Sequence, residues 1–220
     1  MKPVNEFTTS KPTLLLKEQA YRDIREAILN ETFRPGEFLS EKRLIDRLGM
    51  SKTPIKAALE RLESEGFVQV SPKQGIVVKE ISVDKVRDLF ELRTALELFV
   101  CESIAGRLRK DQIAELEANL AEQRRAADDE DEAAFTRADA AYHILLSRFS
   151  GNQEIHQIMI MNQAHLYRSA LRVIKRVPNR MRTSYEDHES IAEALVRGET
   201  ERAKSLMREH LVFGQSISTT

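Results

Sequence analysis

The sequence lacks several features that would place it in other classes of protein. It has a single cysteine, Cys101, so no internal disulfide can form, which fits a reducing compartment. No apolar run approaches the ~18 residues that a transmembrane helix requires, and the start of the chain lacks the apolar segment of a secretory signal. We therefore expect a soluble, cytoplasmic protein with no membrane partner. An excess of one charge is also missing, because the formal net charge of the 220 residues is −1.

The near-zero net charge hides a small asymmetry. Residues 1–80 carry 14 Lys and Arg against 12 Asp and Glu, whereas residues 81–220 carry 20 against 23. Because neither half is strongly basic, any attraction to nucleic acid must come from a local patch and not from a field of the whole molecule. The charged fraction of 31% and the hydrophobic fraction of 41% are ordinary for a helix-rich globular protein.

Two short helical patterns lie close together within residues 34–66. Ser40 can cap the first helix, and Gly49 can end it in the left-handed conformation. Ser51 can cap a second helix almost at once, and Pro54 falls in its first turn, where a missing backbone N–H costs little. Apolar residues recur at helical spacing in both helices. Two short helices joined by a tight, glycine-containing turn are typical of a helix-turn-helix.

Basic side chains lie on the outer side of this predicted motif. Five lysines and arginines against one aspartate form the electrostatic pattern of a DNA-binding surface. Side chains in the first turns of the second helix should face base edges or phosphate, and those of the preceding helix should contact the phosphate backbone. The alternative is a helical hairpin with a solvated basic face. The predicted DNA contacts are Lys52, Thr53 and Lys56 on the second helix and Lys42 and Arg43 on the first.

Behind the motif the hydrophobic pattern changes to a strand-like one. Two β-rich runs, residues 67–70 and 76–78, are joined by a turn that contains Lys73, Gln74 and Gly75. A two-stranded ribbon directly after a helix-turn-helix is typical of a wing. Lys73, Gln74 and Gly75 at its tip are therefore further predicted DNA contacts, with a plain hairpin as the alternative.

The remainder of the chain reads as helix, so the fold class predicted is mainly α. A winged helix-turn-helix domain over residues 13–79, with its first helix at 14–30, follows a flexible tail at residues 1–12. An all-α antiparallel bundle over residues 83–216 comes next, because six helices with apolar stripes must bury them against one another. The predicted helices of the bundle span residues 83–109, 111–128, 131–149, 153–177, 179–197 and 200–216.

One carboxylate and three imidazoles of the second half could converge in that bundle. Asp139 and His143 are four residues apart, so they share one face of a helix. His188 and His210 flank Gly198 at 10 and 12 residues, which places them at similar heights on two antiparallel helices. Such a set in a bundle core is typical of a divalent-metal site. For each residue alone, the alternative is a surface ion pair or a histidine satisfied within the core.

The stretch at residues 34–66, RPGEFLSEKRLIDRLGMSKTPIKAALERLESEG, resembles the N-terminal domain of the GntR family of bacterial transcription regulators. The match includes the caps, the turn glycine, the proline and the charged positions together. The departures are Lys42, Lys52 and Lys56, where arginine is common, and Ile45, where alanine is common. The resemblance implies a winged helix-turn-helix that binds DNA, with the glycine-bearing tip of the wing near the minor groove.

The second half resembles the FCD ligand-binding domain of FadR-type GntR regulators, and its six helices resemble the VanR-like subgroup. In that family the matching aspartate and histidines bind a metal in the central pocket. The resemblance thus implies a divalent ion at Asp139, His143, His188 and His210, with zinc first and nickel or manganese as alternatives. The matching stretches are Glu91-Leu92-Arg93 with Glu97, the run ADAAYH at 138–143, Ser150-Gly151-Asn152, and residues 188–211.

The same resemblance implies a pocket for a small carboxylate-containing effector. Arg93 lies two residues after Glu91, where its guanidinium could pair bidentately with a ligand carboxylate. The alternative for Arg93 is a structural salt bridge to Glu97, four residues further on. Asn162 and His165 are predicted to line the pocket as effector contacts.

The leading hypothesis is a ligand-responsive transcription regulator, in the simplest case a repressor. It would bind a pseudo-palindromic double-stranded DNA operator as a homodimer, because two symmetric half-sites match a two-fold axis of the protein. An acid bound at the metal would change the placement of the two DNA-binding domains. One alternative is a metal-dependent enzyme, although the sequence has no clear general base beside the ligands. Another is a constitutive DNA binder with a purely structural metal.

Overall fold

The computed structural model describes residues 13–71 and 75–218, and the chain divides into two compact units after Glu80. Each unit buries its own set of apolar side chains. The sequence-based domain limits, 13–79 and 83–216, stay predictions beside this division. The predicted tail at residues 1–12 and the predicted contacts Lys73 and Gln74 lie outside the described residues.

The described residues of the first unit form three helices: α1 Thr13–Leu29, α2 Glu41–Leu48 and α3 Lys52–Ser64. The Ser40 hydroxyl caps α2 by accepting the Arg43 backbone N–H at 3.1 Å, and Gly49 ends this helix with φ 62°, both as predicted. Ser51 precedes α3 in an extended conformation, but its side chain makes no capping hydrogen bond, so the predicted side-chain cap is wrong. Pro54 is buried in the first turn of α3, where its missing N–H needs no partner within the helix.

A small antiparallel sheet completes the first unit, and it has one strand more than the sequence predicted. The strands are β1 Phe38–Leu39, β2 Val68–Ser71 and β3 Gly75–Val78, in the order β1-β3-β2. Strand β1 pairs Phe38 with Val77 and Leu39 with Ile76. The prediction missed β1 because two residues are too few to show an alternating pattern.

Gly75 lies where β3 passes β1. Its φ is 86°, and a Cβ added there would lie 3.0 Å from the Leu39 carbonyl oxygen. Both the positive φ and the close backbone approach favour glycine. The sheet is therefore a sufficient reason for glycine at this position, independent of the predicted contact with DNA.

The second unit is a bundle of six helices: α4 Val83–Ile104, α5 Lys110–Asp128, α6 Glu132–Phe149, α7 Gln153–Arg176, α8 Arg180–Arg197 and α9 Thr200–Ser218. The prediction of a mainly α chain, with a winged helix-turn-helix followed by an all-α bundle, is confirmed. Across residues 13–71 and 75–218, no helix combines the length and the apolar character that crossing a bilayer requires.

Helix α4 ends at Ile104, five residues before the predicted end at 109. Gly106 takes φ 70°, and its N–H donates to the Leu195 carbonyl at 2.8 Å. A Cβ on Gly106 would lie 3.1 Å from the Cα of Gly198, so the turns that follow α4 and α8 touch backbone to backbone. This contact joins residues far apart in sequence, and local periodicity therefore could not reveal it.

The core of the bundle has an apolar part and a polar part. The apolar part includes Cys101, which is fully buried, and burial raises the pKa of its thiol to about 12. The thiol thus behaves as a small apolar group. The polar part collects side chains from α4, α5, α6, α8 and α9, namely Glu97, Gln123, Asp139, His143, His188 and His210.

Candidate metal centre and DNA-binding surface

Three helices bring the proposed metal ligands together. Helix α6 supplies Asp139 and His143, α8 supplies His188 and α9 supplies His210, and all four side chains are buried. One ligand atom from each lies within 4.8 Å of the others. His188 Nε2 and His210 Nε2 lie 3.2 Å apart, and Asp139 Oδ1 is 3.8 Å from His188 Nε2. The structure therefore assembles the four residues that the sequence proposed as one set.

The spacing and the chemistry of these atoms fit a metal ion. Zinc bound to histidine at ~2.0–2.1 Å in tetrahedral geometry separates two ligand nitrogens by about 3.4 Å, close to the 3.2 Å between His188 and His210. His143 Nε2 is buried and has no hydrogen-bond partner within the described part of the chain. An unsatisfied buried polar atom costs roughly 1–3 kcal/mol, and a bound cation would remove that cost.

The Nδ1 atom of each imidazole contacts a side-chain oxygen. An oxygen acceptor on Nδ1 keeps the proton there, so the Nε2 lone pair is left for a metal. Two of the acceptors are carboxylates and the third is a neutral amide. The acceptors are Glu97 Oε2 for His143 at 2.5 Å, Asp187 Oδ2 for His210 at 3.1 Å and Gln123 Oε1 for His188 at 2.8 Å. For His210 the Arg180 Nη2 atom, which only donates, also lies 3.4 Å from Nδ1, so Asp187 is the nearer of two competing partners.

Burial sets the protonation states of the cluster. Loss of solvent holds the pKa of each of the three imidazoles well below its usual range, and neighbouring positive charges act in the same direction. Burial also raises the pKa of the Asp139 carboxyl to about 6, although Arg93 and Arg180 oppose this rise. At neutral pH the set is thus three neutral imidazoles and one mostly ionised carboxylate, the forms that bind a metal.

Two small cavities adjoin the cluster, and Arg93 and Asp139 line both of them. The first, of about 30 Å³, is also lined by the polar groups of Arg180, Ser184 and His210. The second, of about 20 Å³, is lined mainly by apolar side chains of α6 and α7. A water molecule needs roughly 10–15 Å³ by this measure, so each cavity as it stands has room for one or two waters and not for an organic acid.

The predicted effector contacts differ in where they lie. Arg93 is buried and its Nε donates to Glu97, so the structural salt bridge is formed, yet Arg93 also lines both cavities. Asn162 and His165 are not among the lining residues of either cavity. The Asn162 side-chain amide instead donates to the Ile158 carbonyl at 2.9 Å. The roles of Asn162 and His165 stay predictions that the two cavities do not support.

Sequence reasoning missed several polar residues that surround the ligands, chiefly Gln123, Asp187 and Arg180. A signal for Gln123 was present, because Asn119 and Gln123 lie at helical spacing on the same face of α5 as the apolar Leu116. Polar side chains on a buried helical face require partners. Asp187 and Arg180 carried no such signal, because charged residues are common on the exposed faces of helices.

The predicted DNA contacts on α2 and α3 lie on the solvent-facing side of the helix-turn-helix, whereas the predicted contact Gly75 is the first residue of β3. Lys42, Arg43, Lys52, Thr53 and Lys56 are all exposed, and the last three fall in the first two turns of α3. An exposed basic face at the start of a recognition helix can reach phosphates and base edges. The individual contacts stay predictions.

Acidic neighbours reduce the charge of this face more than the sequence count suggested. Lys52 Nζ lies 2.7 Å from Glu41 Oε2, and Arg43 Nη1 lies 2.6 Å from Glu37 Oε1. The carboxyl of Glu37 has a lowered pKa because the Arg34 backbone N–H and the Arg43 side chain both donate to it. If these two cations contact DNA as predicted, the phosphates must compete with the carboxylates for them.

Comparison with known proteins covers both units. Residues 16–78 match the model of the gntR family of bacterial regulatory proteins, and residues 88–213 match the FCD domain. An HTH-type transcriptional regulator in an unstable DNA locus of Streptomyces ambofaciens is 32% identical over 196 residues, which are 89% of this chain and 81% of the relative. The chain belongs to the GntR family. It carries an FCD domain behind its DNA-binding domain.

Other relatives are similar to this chain, in sequence or in structure, along most of their length. The HTH-type transcriptional repressor RspR of Escherichia coli is 30% identical over 190 residues, or 86% of this chain and 78% of RspR. The solved structure of E. coli McbR/YncC superposes with a TM-score of 0.78 at 21% identity, over 92% of this chain and 96% of that one. Lar of Listeria monocytogenes gives 0.64 at 20% identity, over 97% and 98%. These structural likenesses show the fold, and the matches together make this GntR-family chain a transcriptional regulator, not a metal-dependent enzyme.

Proposed function

We propose that this GntR-family regulator is a cytoplasmic repressor whose FCD domain binds a divalent metal ion and a small carboxylate effector. The observation that carries the proposal is the buried set Asp139, His143, His188 and His210, with ligand atoms within 4.8 Å of one another. Three neutral imidazoles and one carboxylate suit zinc first, and nickel or manganese as alternatives. The unpartnered His143 Nε2 supports a cation at the point where the four side chains meet.

The charges around the set favour an anionic effector. Two buried arginines, Arg93 and Arg180, face two buried carboxylates, Glu97 and Asp139. The half-buried Asp187, 3.4 Å from Arg180 Nη1, is a third carboxylate of this centre. A divalent ion added to two arginines and three carboxylates leaves one positive charge in excess. Because a charge buried without compensation is costly, an acid whose carboxylate reaches the metal would be bound favourably.

The small volume of the two cavities suggests how the effector acts. Neither cavity, at about 30 Å³ and about 20 Å³, has room for an organic acid. The acid would therefore favour a conformation in which the helices that line both cavities, α4, α6 and α7, lie further apart. A ligand that binds one conformation better than another shifts the population toward it, and this is the coupling that a repressor needs between its effector and its operator.

A homodimer on a pseudo-palindromic operator completes the proposal. Helix α4 exposes Leu92 at 40% and Phe99 at 51%, with the partly buried Leu96 between them on the same face. Exposed apolar side chains at this spacing are typical of a helix that packs against another copy. RspR is described as a repressor, which supports repression for its relative here. Light scattering should give the mass of two chains.

Operator binding with and without metal and acid tests the proposal. Duplexes selected by the protein from a random DNA pool would serve as the operator, and fluorescence anisotropy would report the affinity. We expect zinc-loaded protein to bind tightly and at least one small organic acid to weaken the binding of zinc-loaded but not zinc-stripped protein. If neither zinc nor any acid changes the affinity, the protein is instead a constitutive DNA binder and the metal is structural.

A further inference from the structure

A chain of side-chain amides connects a backbone carbonyl to one of the proposed ligands. The Asn119 Nδ2 atom donates to the Ala138 carbonyl at 3.0 Å, and Gln123 Nε2 donates to Asn119 Oδ1 at 2.8 Å. Gln123 Oε1 then lies 2.8 Å from His188 Nδ1. Asn119 is 7% exposed, and Gln123 and His188 are fully buried, so water does not compete for these bonds.

The direction of every hydrogen bond in this series of amides follows from the Ala138 carbonyl at its start. A backbone carbonyl only accepts, so Asn119 must turn its NH₂ group toward Ala138 and its oxygen toward Gln123. Gln123 must then present its NH₂ group to that oxygen, which leaves its own oxygen for the imidazole. Since an amide oxygen accepts and cannot donate, Nδ1 of His188 must carry the proton. Any reversal would bring two acceptors or two donors face to face in a buried site, at considerable cost.

A second contact fixes the plane of the same ring. Tyr142 stacks on His188 with ring centroids 4.2 Å apart and an interplanar angle of 15°. The Tyr142 hydroxyl also donates to the His188 carbonyl at 3.0 Å. The stacking therefore restricts how the ring can tilt, and the amide chain determines which nitrogen carries the proton.

We propose that Asn119 and Gln123 are positioning residues that hold His188 in the tautomer whose bare Nε2 faces Asp139, His143 and His210. This role rests on the proposed metal site, because a bare Nε2 is the form of histidine that binds a metal. The other two imidazoles have carboxylates behind them, Glu97 and Asp187. His188 alone depends on a neutral amide, which cannot fix the tautomer by charge and needs the anchor at Ala138 to orient it.

Substitution of Gln123 by leucine tests the role of the amide. Gln123→Leu keeps the approximate volume and removes the acceptor behind His188. We expect zinc affinity, measured by competition with a chromogenic chelator, to fall by about 10–100-fold, the usual effect of losing such an outer contact. Gln112→Leu is the matched control on the same helix: Gln112 is 6% exposed, and its oxygen accepts the Arg109 N–H at 2.9 Å. It should cost folding stability and leave zinc affinity unchanged.

A second variant and a spectroscopic readout separate positioning from simple packing. Asn119→Ala removes the anchor without touching His188, and zinc affinity should fall to a value between those of the native protein and Gln123→Leu. In the metal-free native protein, long-range ¹H–¹⁵N spectra should show His188 protonated at Nδ1, and both variants should show a mixture of tautomers. The proposal is overturned if either variant keeps native zinc affinity, or if native His188 is protonated at Nε2. The spectra need no metal, so they test the amide chain even if the native protein binds no zinc, a result that would instead refute the proposed metal site.

Discussion

Glu97 contacts both Arg93 and His143 in the polar part of the bundle core, and its removal should be among the most damaging single changes in the bundle. Its side chain is 1% exposed. One carboxylate oxygen accepts from Arg93 Nε, and the other lies 2.5 Å from His143 Nδ1. Glu97→Ala would leave the Arg93 guanidinium, itself 6% exposed, without its carboxylate. It would also leave His143 Nδ1 without an acceptor.

The size of the expected loss in stability follows from the burial of the Glu97–Arg93 ion pair. Removing one partner of a buried ion pair costs about 3–5 kcal/mol, because the remaining charge is buried without compensation. The matched control is Glu102→Ala on the same helix, where a 63% exposed carboxylate lies 3.3 Å from Lys204 Nζ. An exposed pair contributes at most about 1 kcal/mol. We therefore expect Glu97→Ala to lower the free energy of unfolding by at least about 2 kcal/mol more than the control.

The assay must report the bundle separately, because a chain of two units need not unfold in one step. Native-state hydrogen exchange of the amides of α6, read in metal-free protein by mass spectrometry, gives the opening free energy of the bundle core. The reasoning is refuted if Glu97→Ala and Glu102→Ala change that free energy equally.

Three further changes have definite expected results. Gly106→Ala should lower the unfolding free energy by about 1–3 kcal/mol more than Gly151→Ala, because the two glycines have similar positive φ but only Gly106 touches another backbone; equal Tm losses would contradict this. Zinc affinity should fall as the pH drops through about 6, since Asp139 then binds a proton that competes with the metal; a flat titration from pH 7 to 5 would argue against Asp139 as a ligand. Lys56→Ala should weaken binding to the selected operator by about 1–3 kcal/mol and to random DNA by less; an equal loss in anisotropy titrations would show that Lys56 contacts phosphate only.

Local signals made most of the helices predictable. Ser40 and Gly49 act through hydrogen bonds and a φ angle within one turn, so the limits of α2 follow from neighbouring residues. The end of α4 does not, because it depends on Gly106 lying against Gly198. Strand β1 likewise exists through its pairing with β3, and two residues carry no periodic pattern of their own.

The candidate metal centre likewise has a part that local spacing predicts and a part that depends on contacts between helices. Asp139 and His143 share a helix face by spacing alone, and the residue counts from Gly198 set the heights of His188 and His210. The side chain that contacts the Nδ1 atom of each imidazole depends on the rotation of α4, α5 and α8 about their axes, and the spacing within one helix does not determine that rotation. Gln123 was therefore missed although it lies 2.8 Å from His188.

Metal content is the measurement that bears most directly on the proposed site. Protein loaded with zinc and dialysed against metal-free buffer would be analysed by inductively coupled plasma mass spectrometry, beside His188→Ala treated identically. We expect about one zinc per native chain, as for a site with one carboxylate and three imidazole ligands, and a large loss in the variant. Native protein without bound zinc, nickel or manganese after loading with each, or a variant that retains its full metal content, would contradict a metal centre at Asp139, His143, His188 and His210.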